Sequence, residues 1–362
     1  MKLTAKRETL LEPLQAVSGV VERRQTMPIL ANVLLVAKGG RLSVTATDLE
    51  VELVAHTELG VETEGEITVP GRKLLDICKA LPEGANIKLV QDGDRVTLSA
   101  GRSRFTLSTL PASEFPTIDE VSGQQRIKLS QADLKRLLDK TQFSMAHQDV
   151  RYYLNGLLIE ASKGGLRAVA TDGHRLAMAE MKTTVDGDIQ VIVPRKGVLE
   201  LSRLLHGDGE VSVAIGSNHI QVDLGSIRFT SKLIDGRFPD YDRVIPKDGE
   251  ILKADRPTLR EALQRAAILS NEKYRGIRLQ VSANTLKIQA HNPEQEEAEE
   301  EVEVLYTGND IEIGFNVNYL LDALQAVDGD EVQISLTDGN SSCLISVASD
   351  SDCRYVVMPM RL

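Results

Sequence analysis

The chain of 362 residues has no tryptophan, and aromatic residues make up only 4% of it. A platform that holds single-stranded nucleic acid by stacking needs exposed rings base after base, which this composition argues against. Three cysteines, Cys78, Cys343 and Cys353, form no CxxC pair and are odd in number. They read as reduced thiols, not as a disulfide frame or a zinc site. No apolar run approaches the roughly 18 residues of a membrane span, and the charged start MKLTAKRETL lacks a signal-peptide core. A cytoplasmic location without a membrane partner is expected.

Catalytic signatures are missing too. There is no GxxxxGK[ST], HExxH or GxSxG, and no GxGxxG sits between a strand and a helix. The DGD triplets at 92–94, 186–188 and 328–330 lack the alternating ligands and closing Glu of a calcium loop, so turns are expected there. The six histidines, at 56, 147, 174, 206, 219 and 291, have no metal-ligand spacing. Neither a metal nor a cofactor is expected. Asp172 and His174, in Thr171-Asp172-Gly173-His174-Arg175-Leu176, could form a general-base dyad. However, the corresponding TDLEVEL lacks a histidine, and a turn is favoured over an enzyme site. An excess of basic charge is also absent, since 42 Lys and Arg stand against 53 Asp and Glu, a net charge of −11.

What the sequence does contain is repetition, with a period near 123 residues. LSVTATDLEVELV from Leu42 returns as LRAVATDGHRLAMAEM from Leu166 and LKIQAHNPEQEEAEEEVEV from Leu286, so Asp48, Asp172 and Asn292 correspond. TVPGRKLLDICKALPEGANIKL, VIVPRKGVLELSRLLHGDGEVSV and IGFNVNYLLDALQAVDGDEVQIS form a second set, each a strand end, a helix, a Gly-containing turn and a strand. RSRFTLSTLPASEFP, SIRFTSKLIDGRFPDY and CRYVVMPMRL close the units. TAKRETLLEPLQAVSG, SQADLKRLLDKTQFSM and RPTLREALQRAAILSN open them as helices, with Thr4 and Ser130 as expected N-caps. Three tandem α+β domains follow, 1–122, 123–249 and 250–362, each with two helices and about eight strands, parted at polar stretches near 122–126 and 247–254.

Charge is divided unevenly among them. Residues 1–122 carry 14 basic and 17 acidic residues, 123–249 carry 18 and 16, and 250–362 carry 10 and 20. Much of the last excess is PEQEEAEEEVEV at 293–304, read either as a solvated acidic edge or as one half of an interface. In GRSRF, Arg102 and Arg104 alternate with Ser103, which on a strand puts both on one face. A basic strand in the first unit and an acidic one in the last would complement each other head to tail between two copies. Basic residues also recur on helices. Arg72 and Lys79, beside Lys73, and Lys196 and Arg203, beside Arg195, share a seven-residue spacing. Arg24, Lys135, Arg136, Lys140, Arg256, Arg260 and Arg265 add to them. Each alone is an ordinary surface residue; as a repeated pattern they could contact phosphates without reading sequence. Leu176, Met178 and the apolar chain end (Val356 to Met360, then Leu362) could form a groove for several partners.

TDGHRLA, MAHQDVRYYLNG, VPRKGV, DGRFPDY, AAILSNEKYRG, NPEQEEAEEE and YVVMPMRL resemble the bacterial DNA polymerase III beta subunits, the sliding clamps, from end to end. The resemblance implies a head-to-tail homodimeric ring, helices facing a central hole and sheet outside. Such a ring threads double-stranded DNA and tethers the replicative polymerase alpha subunit, so processivity comes from topology. It implies DNA contacts at Arg24, Arg72, Gln148, Tyr152 and Tyr153, to which the basic pattern adds Arg195, Lys196 and Arg265. The implied interface sets Lys73, Arg102, Arg104, Phe105 and Leu107 against Ile268, Leu269, Glu294, Glu296, Glu297 and Glu300. The implied partner-peptide pocket comprises Leu154, Thr171, Gly173, His174, Arg175, Leu176, Pro239, Arg243, Val244, Ser342, Val356, Met358, Pro359, Met360, Arg361 and Leu362. Its implied occupants are short motifs of polymerases (replicative, translesion and repair), of the clamp loader and of mismatch repair proteins. Asp242 departs from the basic residue of enterobacterial relatives, and FNVNYLLDALQA lacks the basic residues of the other two helices. A dimeric acidic scaffold that never encircles DNA is the remaining alternative.

Overall fold

The computed structural model describes residues 1–21, 27–118, 121, 125–185 and 187–361, with only the backbone of Gln125, Asp350 and Ser351. Arg24, Leu362, Asp186 of the second DGD triplet and part of the 122–126 boundary lie outside the described residues. The chain divides into two compact units, residues 1–134 with 196–233, and residues 135–195 with 234–362.

The first unit holds two antiparallel sheets. One runs in the order Gly60–Thr63, Lys2–Lys6, Asn86–Asp92, Arg95–Ala100, Ser103–Ser108. The other has eight strands, in the order Gln125–Ser130, Glu210–Ile215, His219–Asp223, Ile227–Lys232, Val51–Glu58, Arg41–Thr47, Asn32–Lys38, Gly65–Pro70. Its middle pairing joins strands of the first and second sequence repeats, with Phe229 opposite Leu53 and Arg228 opposite Val54. Burial alternates only at the start of Arg41–Thr47, where Leu42 and Val44 are buried beside the exposed Arg41 and half-buried Ser43. From Val51 to Ala55 the next strand is buried on both faces, as suits a strand in the middle of its sheet.

Helix Arg7–Val17 buries Leu10, Leu14 and Val17, an i, i+4, i+7 stripe, and packs on the Val51–Glu58 strand and on helix Gly71–Ala80. Thr4 does not cap it. That block begins with a strand, in which Leu3 and Ala5 are buried and Thr4 faces outward, and no side chain caps the helix. Ser130 does cap its helix, Gln131–Asp139: its Oγ accepts the Asp133 N–H at 3.0 Å and donates to the Asp133 carboxylate at 2.7 Å.

The second unit repeats the scheme. Its eight-stranded sheet runs Ile189–Pro194, Gly156–Ser162, Gly165–Thr171, Arg175–Met181, Asp350–Val357, Cys343–Val347, Glu331–Leu336, Glu250–Asp255. Here strands of the second and third repeats meet, with Tyr355 opposite Ala177 and Arg354 opposite Met178. A four-stranded sheet follows, in the order Glu297–Glu303, Thr285–His291, Gly276–Ser282, Ile311–Asn316. Helix Arg256–Ala267 buries Leu259, Ala262, Leu263 and Ala266 and packs on helix Val317–Ala326. Asp255 caps it by accepting the Thr258 N–H at 2.9 Å. Burial pushes the Cys343 thiol up to about 12 and the Cys78 thiol up to about 11, so neither is a thiolate near neutral pH.

Candidate functional site

Thr171 ends one strand of the second unit and Arg175 begins the next, and the turn between them is held by its own side chains. Thr171 Oγ1 donates to the Arg175 carbonyl at 2.6 Å and accepts the Gly173 N–H at 3.1 Å. Asp172 Oδ1 accepts the N–H groups of His174 and Arg175 at 2.9 and 3.0 Å. Gly173 sits at φ +87°, where a side chain is strained, and an added Cβ would come within 3.0 Å of the Arg151 guanidinium. The Asp172 carboxylate serves the turn and the Arg175 Nε (3.1 Å), while the His174 ring stacks on Tyr319 at 6.4 Å. The two therefore do not form a general-base dyad.

Beside this turn lies a cavity of about 190 Å³. Of the pocket residues implied by resemblance, Leu154, Thr171, Gly173, Arg175, Leu176, Pro239, Val244, Val356 and Met358 line it. Arg151, Tyr153, Asp240 and Tyr241 line it as well. The repeat held a signal for Tyr241, since RFPDYDRV corresponds to EFPTIDEV and the aromatic Tyr241 stands where the latter has Ile118. Beneath the cavity Leu158, Val169, Leu176, Met178 and Ile192 form a buried apolar cluster with Phe238 and Tyr241.

His174, Arg243, Ser342, Pro359, Met360 and Arg361 are not in the lining. The His174 carbonyl accepts the Met358 N–H at 2.8 Å, fixing the chain end along the turn, and Met360 N donates to the Gly314 carbonyl at 2.9 Å. Arg243 is exposed and paired with Asp240 at 2.6 Å. Ser342 Oγ donates to the Val244 carbonyl at 3.5 Å, the long end of a hydrogen bond. Pro359 is half-buried, and Arg361 is exposed. Asp242, in the short 3-10 turn Tyr241–Arg243, is exposed as well.

Arg175 turns its guanidinium away from solvent. Nη1 donates to Asp322 at 2.5 Å and Nη2 to the Phe143 carbonyl at 2.7 Å, while the rings of Tyr319 and Phe143 lie 4.6 and 5.5 Å from its central carbon. These contacts commit it to bracing the turn.

The loop before the cavity carries Gln148, in the left-handed region at φ +57°, and the exposed Tyr152. Asn155 closes it by accepting the Asp149 N–H at 2.9 Å and donating to the Asp149 carbonyl at 2.8 Å. Arg151 clasps the Asp149 carboxylate with Nε and Nη2 and pulls its pKa down to about 2. Tyr152 and Tyr153 meet edge to face at 5.7 Å.

Several cations singled out on helices have partners within the chain. Arg265 makes a two-pronged pair with Glu300, 2.9 and 2.8 Å, so a residue expected at DNA and one expected at an interface hold each other. Lys196 pairs with Asp48 and Arg203 with Glu200, and Lys140 pairs with Asp328 at 2.6 Å. Arg195 Nη1 donates to the Met145 carbonyl at 3.1 Å, and Arg72 Nη2 to the Val21 carbonyl at 2.7 Å. Arg72, Lys73 and Lys79 are exposed on their helix.

The expected interface residues fall on two edges. Ser103–Ser108 is the last strand of its five-stranded sheet, and Glu297–Glu303 is the first of its four-stranded sheet. Arg102 is not on the strand. It sits in the tight turn after Gly101, which adopts φ +58°, so the expected shared face holds Arg104 and Thr106 instead. Phe105 is half-buried and Leu107 buried on the opposite face. Glu297 is exposed, and Glu294 and Glu296 lie in the exposed turn before the strand. Ile268 is 75% exposed at the end of its helix, next to the half-buried Leu269.

Comparison with known proteins names this arrangement. Residues 1–119, 128–240 and 242–361 match the N-terminal, central and C-terminal domains of the DNA polymerase III beta subunit family. The beta sliding clamps of Pseudomonas putida and Escherichia coli are 58% and 55% identical, each over the full length of both chains. The solved structure of the Pseudomonas aeruginosa sliding clamp bound to griselimycin superposes with a TM-score of 0.97 at 57% identity, covering both chains completely. The chain belongs to the DNA polymerase III beta subunit family, the beta sliding clamps.

Proposed function

We infer that this chain is the non-catalytic sliding clamp of a replicative DNA polymerase, two copies of which close head to tail around duplex DNA. One observation carries the ring. The chain makes the same strand pairing twice internally, Arg228 opposite Val54 and Arg354 opposite Met178, and among the described residues leaves both halves of a third at open sheet edges. By repeat correspondence, Arg104 of one copy faces Glu299 of the other, Phe105 faces Ala298 and Thr106 faces Glu297. The half-buried Phe105 would then be covered as Phe229 and Tyr355 are covered within the chain. The Arg354–Glu180 pair at 3.8 Å is the internal counterpart of Arg104 with the second copy's Glu301. Lys73, Leu107, Ile268, Leu269, Glu294 and Glu296 flank this pairing, and Arg102 adds charge from its turn.

Inside the ring, Arg72, Gln148, Tyr152, Tyr153, Arg195 and Lys196 would meet the DNA, with Arg24. Pairing of Lys196 with Asp48 weakens its hold on phosphate, which suits sliding over tight binding. Arg265 serves Glu300 first, so its part at DNA is secondary. The 190 Å³ cavity accepts short, partly apolar peptides of polymerases, the clamp loader and repair proteins in the cytoplasm. Griselimycin, bound by the Pseudomonas aeruginosa clamp, is the available probe for it. Loading the protein onto nicked circular DNA with a clamp loader, then linearising the DNA, tests the ring. Release from the linear form with retention on the circle is expected; equal retention on both would favour an acidic scaffold that binds without encircling.

A further inference from the structure

Glu160, Arg167 and Glu180 stand directly opposite one another on three adjacent strands of the second unit. They continue, on the same sheet face, the row Leu158, Val169 and Met178 that lies in the apolar cluster beneath the cavity. Arg167 donates Nε and Nη2 to Glu180 Oε2 at 3.0 and 2.9 Å, and Nη1 to the Tyr241 hydroxyl oxygen at 2.8 Å. The Tyr241 hydroxyl donates in turn to Glu160, whose other oxygen accepts from Gln190 at 2.9 Å. The Tyr241 ring is 7% exposed and forms part of the cavity wall. Burial and the Glu160 carboxylate both push its phenol upward, so it stays protonated and able to donate.

The fold itself does not need these charges. At the corresponding positions of the first unit, Val36, Ser43 and His56 face one another across the sheet, and Ile118 replaces Tyr241. There Ser43 Oγ lies 2.8 Å from the His56 ring nitrogen. The acid–arginine–acid row accompanies the cavity walled by Tyr153 and Tyr241.

We propose that Arg167 and Glu160 are positioning residues of the partner pocket, holding the Tyr241 hydroxyl from behind so that its ring sets the width of the channel entered by a partner's apolar side chain. This rests on the cavity being the partner-peptide site. A ring pinned before binding spares the complex the cost of ordering it, which raises affinity without a direct contact. An exchange that keeps the ring but removes the hydroxyl that anchors it, such as Tyr241→Phe, therefore weakens binding although no group facing the peptide is removed.

Titration calorimetry with griselimycin tests this in wild type, Arg167→Met, Tyr241→Phe, the double variant, Arg167→Lys and the pocket control Met358→Asp. Sedimentation and a thermal melt of each check the fold. Arg167→Met and Tyr241→Phe are each expected to weaken binding about tenfold, on the order of one charge-assisted hydrogen bond. The double variant is expected to be no weaker than Tyr241→Phe, because both changes break one link. Arg167→Lys should recover part of the loss. Wild-type affinity in Arg167→Met, or losses that multiply in the double variant, would overturn the proposal. If Arg167→Met does not fold, wild-type affinity in Tyr241→Phe alone overturns it. Loss of binding in Met358→Asp beside unchanged Arg167→Met and Tyr241→Phe would refute the positioning role and leave the pocket standing. If Met358→Asp binds as wild type does, the pocket reading fails and the proposal with it.

Discussion

Thr47–Val51 and Thr171–Arg175 are one turn built twice. Thr47 Oγ1 donates to the Val51 carbonyl at 2.9 Å, and Asp48 Oδ1 accepts the N–H groups of Glu50 and Val51 at 2.9 and 2.7 Å, as Thr171 and Asp172 do in their own turn. The neighbouring strand is tied on in the same way, Lys232 N to the Glu50 carbonyl and Met358 N to the His174 carbonyl, both at 2.8 Å. Backbone and polar framework thus match, and the differences are confined to a few side chains. Leu49 replaces Gly173, Val51 replaces Arg175, Lys232 replaces Met358 and Ile118 replaces Tyr241. The first-unit recess is about 510 Å³ and lined by Leu49, His219 and Lys232, whereas the second-unit cavity is about 190 Å³ and walled by Tyr153, Tyr241 and Val356. Repetition supplies the scaffold, and substitutions at its rim make one copy a fitted pocket.

Breaking the brace should have the largest effect. Arg175→Met removes three hydrogen bonds and leaves the half-buried Asp172 short of its partner, so the second unit should lose about 3 kcal/mol. Hydrogen exchange of its eight-stranded sheet measures this; unchanged protection would mean that the arginine braces nothing. Gly173→Leu copies the first unit's turn into the second. Strain at φ +87° of about 1–2 kcal/mol is tolerable there, as Leu49 at φ +77° demonstrates, but the side chain obstructs the cavity mouth. Griselimycin affinity should fall about thirtyfold with the fold intact, and undiminished affinity would place the ligand elsewhere.

The residues that escaped sequence reading did so for physical reasons. Repetition, strand alternation and the Ser130 cap were legible because they depend on neighbours along the chain. Arg102 was misplaced on a strand because Gly101 turns the chain one residue later than the alternation suggests. Thr4 failed as a cap because its helix starts later, with Lys6 in the N-cap position two residues on. The Arg265–Glu300 pair spans 35 residues, and only the packing of a helix on a strand brings it together. Of the pocket, the apolar residues near the turn were legible, but the acidic row behind Tyr241 shows itself only once three strands are in register.

Two smaller effects sharpen the contrast between the turns. Leu49→Gly should relieve backbone strain and stabilise the first unit by about 0.5–1 kcal/mol, read as a higher melting temperature, without altering griselimycin binding. Lower stability would show that Leu49 is held by packing, not strained. The Asp149–Arg151 clasp stands on the pocket side. Because Arg151 lowers the Asp149 pKa to about 2, the stability it contributes is complete above the ordinary carboxylate range near pH 4 and is lost as pH falls through 2. The Asp149 carboxyl carbon shift, followed by NMR from pH 5 to 1.5, should show a midpoint near 2; a midpoint near 4 would mean that the clasp does not form in solution.

Closure of two chains in the register already present twice within each is the central claim, and cross-linking tests it most directly. The double variant Arg104→Cys with Glu299→Cys places both thiols at facing positions between copies, and the native cysteines are all buried. Mild oxidation should give a covalent dimer on a denaturing gel, while Arg104→Cys with Glu297→Cys, two residues out of register, should give little. A monomer from the first variant, or stronger cross-linking from the second, would contradict the account.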